Sequence, residues 1–322
     1  MTADVLAQQL EEDGFVIIRQ LVKGEGLKTL QEAAARTAAK ARVGDWPYVR
    51  TVGKQFPPWD RWDRAAADKA ATAAKAAEGS QGGGRGIWGV QHLLRPELGP
   101  DAAVFVRSYF AADGVLDVAK RLLGPGCRDD DLVMELYNML VRPDYDDFAL
   151  RWHRDDIPPE ATAAEELTRL GQPAWHAQWN LALWDDASLV VVPGSHRRAR
   201  TAAERAADPF ADPLPVEAGS SSVGQLVVHL GPGDAVFYNN NILHRGVYHT
   251  AVERATLHGS VGHVGGSRQR ARNVLQHGVG DWVDRCDFGS LTAAERARAE
   301  GMRDRLVLLG RASGDVGYSQ EE

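Results

Sequence analysis

The sequence predicts a mainly β protein with flanking helices, built as a double-stranded β-helix or jelly-roll barrel, and three observations carry that expectation. From Asp131 onward, apolar and β-branched runs recur at strand length between turns marked by glycine and proline. Runs of this kind in close succession match two antiparallel sheets that close on each other and leave few exposed edges. The first 130 residues read differently, with long alanine-rich stretches of high helix propensity. All 322 residues are expected to form one domain: a helical, buttressing region over 1–130, the jelly-roll core over 131–264 and a helical extension over 265–322.

Taken in order, residues Asp4 to Glu12 put Val5, Leu6 and Leu10 on one helical face, and Asp13-Gly14 ends that helix before the apolar strand Phe15 to Ile18. A second helix follows over Glu25 to Arg42, alanine-rich and favourable by propensity. An aromatic loop with Pro57-Pro58 spans Trp46 to Trp62. Alanine and lysine, then the run Gly79-Ser-Gln-Gly-Gly-Gly84, make about 64–86 a low-complexity insertion, expected to be mobile because glycine has no side chain to pack. The strand-like runs are Leu132 to Val141, Phe148 to Trp152, Trp175 to Trp184, Ser188 to Val192, Gln225 to Leu230, Asp234 to Tyr238, Ile242 to Tyr248 and Arg254 to Val264. A capping box, Thr292-Ala-Ala-Glu295, opens a last helix reaching about Leu309.

Composition narrows the function classes. A net charge of −7 and the lack of a basic stripe with interleaved aromatics argue against a nucleic-acid partner, since phosphate backbones need a cationic face. No stretch of about 18 apolar residues is present and the first residues carry no basic, apolar leader, so no membrane partner is expected and the default location is cytoplasmic. Two cysteines in unrelated contexts, Cys127 and Cys286, fit a reducing compartment rather than a disulfide framework.

The chemistry concentrates in four residues: His153 and Asp155 in Arg151-Trp-His-Arg-Asp-Asp156, then His244, then Arg254 ten residues further on. Two imidazoles and one carboxylate on one face of a metal leave the opposite face open, the ligand set of non-haem Fe(II) oxygenases. In a strand meeting its loop, alternate residues point the same way, so His153 and Asp155 reach one ion. Asp156 is the adjacent alternative carboxylate, while His249, His258 and His263 compete with His244 as the distal ligand. Against this stands a bland alternative: His-x-Asp alone is short, and a structural histidine beside a loop carboxylate would look the same. Arg254 is followed by strand-forming residues, and an inward arginine demands an anionic partner. His196 is expected to tie its turn by hydrogen bonds.

The segments Leu189-Val-Val-Val-Pro-Gly-Ser-His196, Gly233-Asp-Ala-Val-Phe-Tyr238 leading into Ile242-Leu-His244, and Gln178-Trp-Asn-Leu181, in this order and spacing, resemble the phytanoyl-CoA dioxygenase family of Fe(II)/2-oxoglutarate-dependent oxygenases. The resemblance runs from Glu135 to His258, with an echo in Asp13-Gly-Phe-Val-Ile-Ile18. It implies a cupin-like jelly roll in which His153, Asp155 and His244 bind Fe(II). It also implies that Arg254 clamps the far carboxylate of 2-oxoglutarate, that Trp179 and Met139 wall the cosubstrate pocket, and that O2 takes the open site. Two departures stand out: the arginine follows the distal histidine by ten residues where family members often show eleven, and Gly246 replaces a serine that helps hold the cosubstrate in the human family member. The activity implied is hydroxylation of a small organic molecule with release of succinate and CO2. Gln91, His92 and Arg197 are the candidates for contacting that small-molecule substrate. The rival readings are a cupin-like metal-dependent hydrolase or isomerase, and a non-catalytic binding module that keeps a metal.

Overall fold

The computed structural model describes residues 3–51, 65, 69, 86–173, 175–217 and 224–314. Its strands are β1 Phe15–Ile18, β2 Val49–Thr51, β3 Ile87–Val90, β4 Leu132–Val141, β5 Phe148–Ala149, β6 His176–Ala182, β7 Leu189–Val191, β8 Leu226–Val227, β9 Ala235–Tyr238, β10 His244–Tyr248 and β11 Ala255–His263. The helices are α1 Ala3–Asp13, α2 Gly24–Arg42, α3 Pro100–Phe110, α4 Val115–Leu123, α5 Ala163–Leu170, α6 Ala202–Ala206, α7 Arg268–Gln276 and α8 Ala293–Arg311. The insertion expected over about 64–86 lies outside the described residues except for 65, 69 and 86.

Two sheets result. The larger has the order β1-β9-β6-β11-β4-β3-β2 and the smaller β5-β10-β7-β8. Their strand pairs are antiparallel throughout, and β11 sits at the centre of the larger sheet between β4 and β6. Three of the strands come from the first 130 residues, so that region does more than buttress: β1 pairs with β9, and β3 joins β2 to β4. The sequence hid β3 because Ile87-Trp-Gly-Val90 is buried at every position and so shows no alternation.

Alternation is clean where it matters. In β6, Ala177, Trp179 and Leu181 join the main apolar core, while Gln178 and Asn180 turn to the opposite face. In β11, Leu257 and Val261 join the same core, and Thr256, His258 and Ser260 alternate with them. That core lies between the larger sheet and the helices, with Phe105, Tyr109, Phe110, Leu116, Met302 and Leu306 supplied by α3, α4 and α8. Gly259 stands opposite both Tyr137 and Trp179, and a Cβ there would come within 2.4 Å of the indole, so the sheet can bury that ring only against glycine. The last helix starts as its capping box predicts, Thr292 accepting from the Glu295 N–H. No helix among the described residues is long and apolar enough to cross a membrane.

Candidate metal centre

His153 and His244 oppose each other across an antiparallel bridge and exchange backbone hydrogen bonds of 3.0 and 3.1 Å. Residues directly opposite in such a pair project to the same side, so the imidazoles stand together with ring centroids 4.3 Å apart. Asp155, two residues beyond His153, has its N–H fixed on the Asn240 carbonyl at 2.9 Å. One ligand atom from each of the three lies within 4.8 Å of the others. Oδ1 of Asp155 is 3.6 Å from Nε2 of His153 and 3.7 Å from Nε2 of His244.

The rings are also oriented for a metal. Nδ1 of His153 lies 2.8 Å from the Arg151 carbonyl oxygen, and Nδ1 of His244 lies 2.8 Å from that of Ile242. A carbonyl only accepts, so each Nδ1 keeps the proton and each Nε2 turns its lone pair to the shared centre. Gln178 donates to Oδ2 of Asp155 at 3.0 Å, which leaves Oδ1 for an ion. Burial, then the adjacent His244, push His153 down to about 4, so it is a neutral ligand near pH 7. Burial would raise the Asp155 carboxyl, but His244, His153 and the Gln178 amide hold it below the ordinary carboxylate range. The Asp155 side chain is 35 % exposed, so the centre opens to solvent.

A second group, Cys127, Asp131 and His263, also brings three ligand atoms together. There Nδ1 of His263 accepts the Gly265 N–H at 2.9 Å, which puts the imidazole proton on Nε2, the reverse of the first centre. Asp131 is spent on capping the Arg128 N–H at 2.8 Å.

The residues around the triad sort differently from their sequence expectation. Trp179 and Met139 are fully buried in the core between sheet and helices, Trp179 against Tyr109, Tyr137 and Phe237. Neither is a pocket wall, because strand alternation gives the metal side to their neighbours Gln178, Asn180 and Asn138. Gln91 and His92, expected to contact substrate, are instead 3 % exposed, the latter packed between Tyr48 and Trp282. Arg197 is exposed, whereas Arg198 pairs with Glu204 at 2.7 Å and Arg200 with the fully buried Glu166 at 2.6 Å. Asp156 is held by Asn240, and His249 pairs with Asp147 at 3.0 Å. His258 turns to the interior and bonds Asn180 at 2.8 Å. His196 ties its turn to the Glu11 carbonyl at 3.0 Å, as expected.

Arg254 is inward and 4 % exposed, but it already has an anion. Asp186 receives its Nε at 2.9 Å and its Nη2 at 2.8 Å, and Thr256 Oγ1 receives Nη2 at 3.0 Å. The anionic partner that an inward arginine demands is thus supplied within the protein by Asp186. Burial would raise the Asp186 carboxyl, yet Arg254, Ser188 and Thr256 keep it below its usual range and ionised. Nη1 of Arg254 is buried and, among the described residues, has no hydrogen-bond partner. Sequence reasoning missed Asp186, Gln178, Tyr248 and the Glu135–Arg270 pair, bonded at 2.6 and 2.8 Å. For Gln178 the signal was available, since a polar residue alternating with Trp179 and Leu181 must face the barrel interior.

A jelly roll carrying an open two-histidine, one-carboxylate centre defines a class, that of mononuclear non-haem metal proteins. The chain belongs to the phytanoyl-CoA dioxygenase (PhyH) family, whose sequence pattern matches residues 10–254. Among solved structures it is similar to AviO1 from Streptomyces viridochromogenes Tue57, at 15% identity and TM-score 0.50, covering 81% of this chain and 95% of that one. It is also similar to EctD from S. alaskensis, at 17% identity and TM-score 0.51. The form with 2-oxoglutarate and 5-hydroxyectoine covers 82% of this chain and 77% of that one, and the form with bound Fe covers 83% and 78%. At these identities the likeness is one of fold. No curated protein sequence matches the chain.

Proposed function

We propose that this chain is an Fe(II)- and 2-oxoglutarate-dependent dioxygenase that hydroxylates a small organic molecule. The observation that carries the reading is the pair of imidazoles whose Nδ1 protons are locked on backbone carbonyls while both Nε2 atoms converge with Asp155 Oδ1. Two neutral rings and one carboxylate suit a divalent cation and leave the centre one positive charge, which favours an anionic chelating cosubstrate. Family membership and the EctD structure with 2-oxoglutarate support the same choice. Iron with 2-oxoglutarate and dioxygen supplies the oxidising power for C–H hydroxylation, with succinate and CO2 as the other products.

The protein's own part is positioning. His153, Asp155 and His244 would hold the metal, with Gln178 fixing the rotamer of Asp155. The unpaired Nη1 of Arg254 offers a donor to the far carboxylate of the cosubstrate. Along β11 the inward residues run Thr256, His258, Ser260 from the Arg254 end, and Ser260 lies opposite Gln178. The substrate side is then the other end, where α7 sends Arg270 to Glu135. Arg270 lies beyond the span the family matches, which fits substrate choice being particular to this chain.

The test is an anaerobic Fe(II) titration with and without 2-oxoglutarate. One iron per chain and a visible charge-transfer band that needs both additions are expected. Iron binding without any band or succinate formation in air would turn the reading to a metal-dependent hydrolase or isomerase, or to a binding module.

A further inference from the structure

The end of the barrel away from Arg254 carries an unbalanced carboxylate. Nε and Nη2 of Arg270 are fixed on the two oxygens of Glu135 at 2.6 and 2.8 Å, so that pair is neutral. A Cβ on Gly262 would come within 2.7 Å of Glu135 Oε1, which sets the carboxylate over the inward side of β11, and Gly262 lies opposite His176 on β6. Arg270 is close enough to Asp155 and Asp156 to feel both charges. Asp155 belongs to the metal centre, whereas Asp156 has no ion-pair partner among the described residues. Asn240 donates to its carboxylate, and Arg169 binds its backbone carbonyl at 2.8 Å instead. The buried carboxylates Glu166 and Asp186, by contrast, each hold an arginine. Arg50 belongs to the other end, since its register through Gly89 and Leu140 leads to Thr256. His176, in step with Gln178 on β6, adds an acceptor. Gln178 gives its amide N–H to Asp155 and its carbonyl to the His176 ring. Nε2 of His176, buried and without a partner among the described residues, therefore keeps its lone pair.

We infer that the substrate carries a protonated amine, held at the Glu135 end of the barrel with Asp156 as its counter-ion and Nε2 of His176 as an acceptor. The inference rests on the proposed function and names the class of its substrate. An ammonium group has only donors to offer, and both partners here only accept. The loaded centre favours the same charge. Divalent iron, Asp155 and the dianion of 2-oxoglutarate are together anionic, and Arg254 does not offset them because Asp186 already neutralises it. An anionic substrate meets the reverse situation: Arg270, the cation at this end, is spent on Glu135, and Asp156 would repel the newcomer. Asp156 is exposed, so an amine reaches it without breaking any ion pair that the fold itself uses.

The test reads binding through the shift of the charge-transfer band of the complex with Fe(II) and 2-oxoglutarate, formed without oxygen. Wild type, Asp156→Asn and His176→Phe are each titrated with cyclohexylamine, cyclohexanol and cyclohexanecarboxylate, three probes that share a ring and differ in charge. Wild type should bind the ammonium form most tightly and the carboxylate least. Asp156→Asn keeps the shape of the side chain and loses its charge, so its Kd for cyclohexylamine should rise on the order of ten-fold while that for cyclohexanol stays as in wild type. His176→Phe should weaken the amine and the alcohol alike, because both donate to Nε2, and it reports independently if Asp156→Asn disturbs the adjacent ligand. The inference is overturned if wild type binds the carboxylate as tightly as the amine, or binds none of the three. Unchanged amine affinity in both variants, or equal weakening of all three probes by Asp156→Asn, overturns it as well. A wild type that gives no band with Fe(II) and 2-oxoglutarate overturns the proposed function instead.

Discussion

At the scale of single residues, the triad and the arginine make separable predictions. His153→Ala, Asp155→Ala and His244→Ala each remove one of three ligands, so iron content should fall to a small fraction of wild type while the far-ultraviolet spectrum is unchanged; a variant that keeps full iron reassigns its ligand. Arg254 is less simple than a lone clamp. Replacing it by alanine leaves ionised Asp186 buried without its partner, which costs about 3–5 kcal/mol of stability in addition to any loss of cosubstrate affinity. Removing both charges should recover much of that stability without restoring 2-oxoglutarate binding. Denaturant melts and 2-oxoglutarate titrations of Arg254→Ala, Asp186→Ala and the double variant separate the two roles. Recovery of affinity in the double variant would sink the clamp. Arg254→Lys should rescue only part, because a point charge cannot serve Asp186 and a carboxylate at once as a fork does.

At the scale of elements, the segment after Asp155 is held by charge rather than by apolar contact. Arg154, between two ligands and turned away from them, donates to the carbonyls of Ser195, Asn241 and Arg198. Glu166 on α5, fully buried, stands 3.7 Å from Arg154 and 2.6 Å from both Arg200 and Arg205. Glu166→Gln should destabilise by about 3 kcal/mol and raise the Kd for Fe(II), since the turn between the ligands loses its anchor. Iron affinity as in wild type would show that Arg154 is held by the carbonyls alone. None of this was legible in the sequence, where Arg154 and Glu166 are two charges twelve residues apart. What was legible has local cause: the capping box of α8, the full span of β4 and the strands around the triad follow from spacing and turn residues. Family position suggested Trp179 and Met139 as pocket walls, yet period-two alternation already opposed that, because Gln178 and Trp179 cannot face the same side. The short strands β2 and β3 and the helices α3, α4 and α7 escaped, the strands because three or four residues carry no periodicity.

At the scale of the whole molecule, several histidines are buried as neutral rings. Burial holds His92 down to about 3, and His258 and His277 to about 4. The unfolded chain protonates these rings below about 6.5, whereas the folded one does so only near 4 and below. Stability is therefore complete above about pH 6.5 and is lost as pH falls through the window from 6.5 to 4, by up to roughly 4 kcal/mol per pH unit if all three rings titrate together. Urea unfolding at intervals from pH 7.5 to 4.5 measures the slope, and a flat profile would show that the rings admit protons without unfolding.

On β6 and β11 the larger sheet keeps apolar side chains on the helix side and turns hydrogen-bonding side chains to the metal side. Fold maintenance and ligand recognition are thereby written on opposite faces of the same strands, one residue apart. Randomising His176, Asn180 and Ser260 should leave melting temperatures within a few degrees of wild type, whereas the same treatment of Tyr137, Trp179 and Leu257 should abolish folding. Such a chain can drift from one substrate to another by small steps, each viable, because the residues that choose the ligand are not the ones that keep the protein folded.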